Sequence, residues 1–349
     1  MTVYDAGVSQ CRRVFGPVQQ EMTGAATLVS TDTGVDVVYN RGGVPLVRSF
    51  AGPAPASEQT EAALPASSPP CAVAGKSVFC EDAQGGVLRT RDGVTSLVAH
   101  ALAGTSLSGA AVGDHTALAY LAHKSTTEGQ TSHAWILADD APAVVLSEGG
   151  SGATFVSLAP RGKEIVAFYV DGRTAMSPAH ARTVTFKAGS AGGATLGLDA
   201  VLFVGGAAEM HTAGALSVSA AGATFALFPV AGESGFGMAA IRIDEPPRDD
   251  AFTAWSPYPN GLDPAPVAAT VGTPHARVAR VRPVDARPEA ARGLELGQID
   301  DKGAFTAFGF MGSRGSVRDV AVAEDRSSGG LWVHYTDPAG SWLERRQCP

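Results

Sequence analysis

The sequence predicts an all-β protein built from repeated units, and three observations favour this class. Apolar residues occur in alternating or continuous runs of about five to eight residues, which is the pattern of short strands. Gly, Pro, Asp and Ser separate these runs, and the 349 residues include 42 Gly and 22 Pro. The runs also recur in pairs, in which a strand of small residues precedes a polar turn and a strand with an aromatic residue.

The paired pattern is clearest at 24–40, 108–123, 152–171 and 315–337. Weaker copies cover 69–82, 193–206 and 235–258. The aromatic residues assigned to the second strands are Tyr39, Phe79, Tyr120, Phe168, Phe203, Trp255 and Trp332. Their mean spacing is about 49 residues, so seven such units account for the chain.

This organisation resembles that of a β-propeller, in which small residues line the crowded axis and larger ones pack between blades. The likeness is to the architecture and to no particular propeller family. It implies one domain over residues 1–349 with about seven four-stranded blades, and eight blades are the alternative. The expected blades are 24–68, 69–104, 105–150, 151–191, 192–232, 233–312 with an insertion at 258–292, and 313–349 completed by 8–20.

Ring closure is predicted by the two chain ends. The last unit supplies three strands, and the segment 8–20 can add the missing outer strand, which places Cys11 opposite Cys348. Cys71 and Cys80 flank a tight hairpin. Four cysteines allow three pairings, and we expect Cys11–Cys348 with Cys71–Cys80. The alternative is four free buried thiols in a cytosolic protein.

Disulfides favour an oxidising compartment, so we expect a secreted or periplasmic protein. The first twenty residues lack the apolar stretch of a signal peptide. We therefore expect that a cleaved leader, or the leader of a surface lipoprotein, has been replaced at Met1. No run of 18 apolar residues occurs, and no transmembrane helix is expected.

The charge distribution limits the partners. The formal net charge is -8, and the few lysines are scattered along the chain. Nucleic acid and anionic membranes attract concentrated positive charge, so neither is an expected partner. A monomer that binds a protein, a peptide or a carbohydrate is expected.

Two long connections are predicted to emerge on one face of the ring, where propeller loops usually bind ligands. These are 124–132, flanked by His123 and His133, and the insertion 258–292. The candidate contact residues are His123, His133, Trp255, Tyr258, Asn260 and Asp263. Aromatic area combined with hydrogen-bonding groups is typical of sugar and peptide sites. The alternative is an ordinary packed surface loop.

Metal chemistry has weaker support. His123, His133 and Glu128 would form a ligand set if they met across the hairpin, whereas cross-strand histidines are more often solvated neighbours. Calcium at an acidic turn such as Asp139-Asp140 is a further hypothesis, and no other cofactor is expected. Asp319 is the candidate acid for the central channel.

The function predicted from these features is that of a binding or interaction module rather than an enzyme. The alternative is a metal-dependent hydrolase of the lactonase or glycosidase kind, with its site at the channel. A third hypothesis is a structural surface protein without a small ligand.

Overall fold

The computed structural model of the protein is a seven-bladed β-propeller. It describes residues 4–5, 10–20, 25–41, 44–51, 59–63, 68–105, 107–126, 129–147, 152–171, 179–186, 193–203, 214–219, 221–232, 235–243, 252–255, 267–273, 275–283, 292–312, 317–326 and 328–349. Regular structure within these ranges consists of strands, as the alternating apolar runs predicted.

The chain begins with β1 (Tyr4–Asp5) and β2 (Arg12–Gln20). Blade 1 contains β3 (Thr27–Ser30), β4 (Gly34–Arg41), β5 (Val44–Ala51) and β6 (Gln59–Ala63). Blade 2 contains β7 (Ser68–Ala74), β8 (Ser77–Glu81), β9 (Gly86–Arg91) and β10 (Val94–His100). Blade 3 contains β11 (Ser108–Val112), β12 (His115–Thr126), β13 (Gly129–Ala138) and β14 (Val144–Val145).

Blade 4 contains β15 (Ala153–Arg161), β16 (Glu164–Asp171), β17 (Ala179–Phe186) and a divided outer strand, β18 (Ala194–Leu196) and β19 (Ala200–Phe203). Blade 5 contains β20 (Ala215–Ser219), β21 (Thr224–Gly232), β22 (Gly235–Arg242) and β23 (Phe252–Trp255). The next strands are β24 (Val267–Ala269), β25 (Val271–Thr273), β26 (Ala276–Pro283), β27 (Arg292–Ile299) and β28 (Phe305–Gly312). Blade 7 contains β29 (Asp319–Glu324), β30 (Leu331–Asp337) and β31 (Gly340–Gln347).

Each blade is an antiparallel meander whose first strand lies at the axis. Blade 6 has the order β24-β26-β27-β28, and β25 instead adds to blade 5 as a parallel partner of β20. We call the upper face the one where second and third strands connect and where one blade leads to the next. The lower face carries the turns between first and second strands and between third and fourth strands.

Both N-terminal strands close the ring. β2 pairs antiparallel with β31, so the first residues of the chain supply the outer strand of blade 7, as predicted. β1 adds to β28 and gives blade 6 a fifth strand. Two neighbouring blades therefore contain strands from opposite ends of the chain.

The two predicted disulfides are present. Cys11 and Cys348 lie at the lower end of the β2–β31 pair, with their Cα atoms 4.1 Å apart. Cys71 and Cys80 are direct cross-strand neighbours of β7 and β8, with a Cα separation of 4.2 Å. The described chain has no free cysteine, and such bonds are typical of proteins outside the cytoplasm.

The hydrophobic core lies between neighbouring blades. Phe168 of blade 4 stacks on Phe228 of blade 5 at a centroid distance of 5.7 Å. Phe50 of blade 1 contacts Trp332 of blade 7 at 5.5 Å. Nearer the axis the blades crowd together, and a Cβ atom at Gly109 would lie only 2.5 Å from the carbonyl oxygen of Val73. This crowding explains the small residues of the inner strands.

The seven sheets confirm the blade count, but the predicted boundaries of blades 4, 5 and 6 are wrong. The segment 194–203 is the outer edge of blade 4, and blade 5 covers 215–255 rather than 192–232. Phe203 and Trp255 lie in outer strands, not second strands. The segment 258–292 is not wholly an insertion, because β24, β25 and all of β26 belong to it.

The error has a physical cause in β26, the second strand of blade 6, which has no aromatic residue. Arg277 and Arg280 of this strand are buried, and aromatic rings of β28 lie against them. Arg277 stacks over Phe308 at 5.0 Å, and Arg280 stacks over Phe305 at 4.7 Å. Arg280 also pairs with Glu295 at 2.7 Å. Arg277 and Arg280 therefore occupy positions of a second strand that the aromatic pattern could not identify.

Candidate functional site

The central channel contains a cavity of about 490 Å³. Inner strands of several blades line it, and its wall includes Thr27, Ser30, Ser108, Gly109, Thr270 and Val322. The described wall is neutral apart from Arg326, a half-exposed cation near Asp32 with an N···O distance of 3.5 Å. The cavity therefore offers small neutral side chains and backbone groups to a ligand.

Channel hydroxyls connect neighbouring blades. Thr27 Oγ1 donates to the carbonyl oxygen of Cys71 at 2.8 Å, which joins blades 1 and 2. The Leu158 backbone N–H donates to Ser108 Oγ at 2.8 Å, which joins blades 3 and 4. These groups have roles in holding the ring together, which the sequence pattern did not reveal.

Asp319, the predicted channel acid, lies at the upper end of the inner strand of blade 7. Its Oδ2 accepts a hydrogen bond from Thr336 Oγ1 at 2.8 Å, between directly paired residues of β29 and β30. The carboxylate is thus tied to its own blade. Within the described ranges, no three His, Cys, Asp or Glu side chains approach closely enough to hold a metal ion.

The two histidines of the predicted loop lie on a continuous hairpin and point to opposite faces of blade 3. His123 pairs with Ser132, whereas His133 pairs with Ala122, and successive side chains alternate across a sheet. His123 is exposed. His133 is buried, with Thr131 Oγ1 2.8 Å from its Nε2 and Ser147 Oγ 3.1 Å from its Nδ1. The structure does not bring these two imidazoles together, and Glu128 lies outside the described residues.

The other predicted contact residues belong to the end of blade 5 and beyond. Trp255 is the last residue of β23, opposite Met238, at the upper end of that blade. Tyr258, Asn260 and Asp263 lie outside the described residues.

The β12–β13 hairpin extends far onto the upper face. The last pair between β11 and β12 joins Ser108 to Ala119, and β12 then continues through residues 120–126. The ladder to β13 is unbroken up to the pair Thr126↔Gly129. His123 and Lys124 are exposed on this projecting part. A rigid, extended hairpin is a suitable position for ligand contacts.

A polar cluster that sequence reasoning missed lies between blades 3 and 4. Tyr169 Oη donates to Asp199 Oδ2 at 2.6 Å, and His180 Nδ1 lies 3.3 Å from Asp199 Oδ1. The Tyr169 and His180 rings stack with centroids 4.8 Å apart. Burial alone would raise the pKa of Asp199, but the hydrogen bonds from His180 and Tyr169 outweigh it and lower that pKa.

The cluster depends on the break in the outer strand of blade 4. Asp199 lies between β18 and β19, where the chain leaves regular pairing, and Arg182 donates to the carbonyl oxygens of Gly197 and Leu146. Arg182 thereby fixes the break against blade 3. No sequence signal connects Asp199 with His180, because only the divided strand brings them together.

No helix of the described residues is long and apolar enough to cross a membrane. No protein-family model and no curated protein matches the chain.

Solved structures with similar folds include sialidase and neuraminidase chains. The Trypanosoma rangeli sialidase in complex with 2,3-difluorosialic acid is 10% identical over 99% of this chain, with a TM-score of 0.48. This chain spans 59% of that sialidase chain. The subtype N10 neuraminidase-like protein of A/little yellow-shouldered bat/Guatemala is 9% identical, with coverage of 96% and 97% of the two chains and a TM-score of 0.49.

Native Bacillus subtilis arabinanase is 11% identical, with coverage of 70% of this chain and 93% of the arabinanase and a TM-score of 0.37. At these identities and scores the similarities carry no argument about function.

Proposed function

We propose that this propeller is a binding module of an oxidising compartment, secreted or periplasmic, that takes a glycan, peptide or protein ligand on its upper face. The observation that carries the proposal is the β12–β13 hairpin, which continues for residues 120–126 beyond its inner strand. Its regular ladder makes the projecting part preorganised, so little conformational entropy is lost when a ligand binds.

A second part of the upper face supports the same placement. The β21–β22 hairpin of blade 5 continues through residues 228–232 beyond its last pair with β20, Ala215↔Leu227. Trp255 ends the outer strand of the same blade on the same face. Blade 4 lies between these two hairpins, so a ligand on the upper face of blades 3 to 5 would contact the predicted hairpin around His123 and the end of blade 5 at Trp255.

The test is binding to a glycan array and to a peptide array. We expect the double variant His123→Ala/Lys124→Ala to lose most of the wild-type signal, because both side chains are exposed on the hairpin. Lys163→Ala, on an exposed lower turn, is the matched control and should bind normally. If both variants bound the arrays equally well, the upper face would not be the binding site.

Hydrolysis is the second candidate function, and the Asp199–His180 pair is the observation that favours it. A carboxylate that holds Nδ1 of an imidazole is the arrangement that orients a general base. Panels of lactone, ester and glycoside substrates test it. Turnover that disappears in His180→Ala would establish the hydrolase, whereas array binding without turnover supports the binding module.

A further inference from the structure

The outer edge of blade 2 is a regular strand with exposed apolar side chains. β10 is the last strand of its sheet, and in the part of the chain that the structure describes no strand pairs with its outer edge. Val94 is 70% exposed and Leu97 is 55% exposed. A strand edge of this kind is a template for pairing with another chain.

A cavity of about 330 Å³ lies beside this edge, in the groove between blades 2 and 3. Val98 and Leu137 provide apolar surface, and the segment 141–143 forms the opposite wall. Arg89 pairs with Asp140 at 2.6 Å across the groove. Ser96 lies directly opposite Arg89 in the β9–β10 ladder, so Val94 and Ser96 share the side of the sheet on which the cavity lies.

The wall of the groove is held rigidly by Asp139. This residue has a positive φ of 51°, which few residues other than glycine adopt. Its Oδ1 accepts from the Thr116 backbone N–H at 2.8 Å, and its Oδ2 lies 2.8 Å from His115 Nδ1. The His115 ring stacks on Phe186 of blade 4 at 4.6 Å. The groove is therefore preformed, with its shape fixed from three blades.

We propose that this edge binds one extended segment of a protein partner by β-strand addition, with a bulky apolar side chain in the groove cavity. An extended chain pairs with β10 through its backbone and directs alternate side chains to one face of the sheet. It can therefore bond the N–H and C=O groups of the edge and fill the cavity at the same time. β10 has no charged residue from Val94 to Leu97, which favours a neutral, apolar segment.

A second copy of this chain fits the groove less well. Pairing of β10 with its own copy would present Val94 and Ser96 on the cavity side, and these side chains are too small to fill about 330 Å³. Leu97 points to the other side of the sheet. This surface is separate from the upper-face site, and its test does not depend on that proposal.

The experiment pans a phage library of random twelve-residue peptides against the immobilised protein. We expect enrichment of peptides with large apolar residues at alternate positions. Synthetic copies of these peptides should bind the wild-type protein. Their affinity should fall about tenfold or more for Val94→Lys, which places a charge on the edge, and for Ala141→Trp, which fills the cavity. Val44→Lys changes an exposed valine of blade 1 and is the matched control with unchanged affinity. Thermal unfolding confirms that each variant is folded.

A second measurement tests the mode of binding. N-methylation of successive residues of the selected peptide should weaken binding at every second position, because only alternate N–H groups face β10. Amide hydrogen exchange should slow in residues 94–100 when the peptide binds. No enrichment, equal binding to Val94→Lys and Val44→Lys, or a dimer that Val94→Lys dissociates would each overturn the proposal. Peptides that depend on His123 and Lys124 instead would assign binding to the upper face.

Discussion

Blade 7 contains buried ion pairs beside the joined chain ends, whereas blade 3 meets blade 4 mainly through apolar side chains. Glu344 pairs with Arg346 in β31, and Arg346 Nη1 donates to the carbonyl oxygen of Cys11 at 3.3 Å. On the other side of the same strand, Arg345 lies 3.2 Å from Asp325, and both are buried. We call these residues, with β2 and the Cys11–Cys348 bond, the closing seam.

The interface of blades 3 and 4 is built mainly from residues such as Ala119, Ile136, Leu158 and Ile165. Its two blades follow one another in the chain, and the hydrogen bonds that join them, such as those of Ser108 and Arg182, end on backbone groups rather than on opposite charges. The closing seam must bring together strands from opposite ends of the chain. Buried ion pairs add little net stability, but an incorrect register would leave charges buried without partners. We interpret the charges of the seam as a means of selecting the correct closure.

The largest expected effect is loss of the disulfide in the closing seam. The double variant Cys11→Ser/Cys348→Ser releases a loop with a sequence separation of 337 residues, and the chain-entropy model gives a loss of about 6 kcal/mol in the free energy of unfolding. Cys71→Ser/Cys80→Ser, with a separation of 9, should lose about 2.5 kcal/mol. Denaturant unfolding without reductant measures both. A smaller loss in the first variant would show that the seam holds without its covalent bond.

The second expected effect concerns the pH dependence of blade 7, the blade that contains the closing seam. His334 is buried in β30, and no described group bonds either ring nitrogen. Burial lowers its pKa to about 4 from the ordinary value of 6.5. Between pH 4 and pH 6.5, the unfolded chain therefore binds a proton at His334 that the folded protein does not bind. The free energy of unfolding should fall by roughly 3 kcal/mol from this group as the pH decreases from 6.5 to 4, with no further loss below.

His334→Leu removes the titrating group and keeps an apolar side chain between Ala321 and Leu343, its cross-strand neighbours. The variant should lose this part of the pH dependence, whatever its stability at pH 7. Urea unfolding of both proteins at several pH values between 4 and 7 measures the difference. If the free energy of unfolding changed with pH in the same way in wild type and variant, the pKa assigned to His334 would be wrong.

The sequence predicted the covalent and topological features of the closing seam but not its buried charges. The disulfide pairing, the β2–β31 closure and the seven blades followed from the spacing of cysteines and apolar runs, because both patterns reflect the repeat directly. Buried charges such as Arg277 and Arg346 could not be predicted, since an arginine in a strand has the same sequence appearance whether its partner is water or a carboxylate. The same limit explains the wrong boundaries of blades 5 and 6.

The candidate sites were predicted less well than the fold. The sequence selected the hairpin around His123 because its length is visible between two strands. It missed the Asp199–His180 pair, which depends on where the outer strand of blade 4 divides. It also missed the groove beside β10, which depends on which sheet edge remains open. His133 was selected for its position beside the loop, but strand alternation turns it into the blade. A one-residue difference in register decides between contact residue and core residue.

The smallest expected effect concerns the hydroxyl ties near the channel, which join blades without charge. Thr27→Val removes the 2.8 Å bond to the carbonyl oxygen of Cys71 and preserves the side-chain shape. A loss of about 1 kcal/mol in the free energy of unfolding is expected for one such bond. Thr185→Val, which removes an exposed 3.4 Å bond within blade 4, is the matched control and should change stability by less than about 0.5 kcal/mol. If the two variants were equally stable, the Thr27 hydroxyl would add nothing to the apolar packing that holds blades 1 and 2 together.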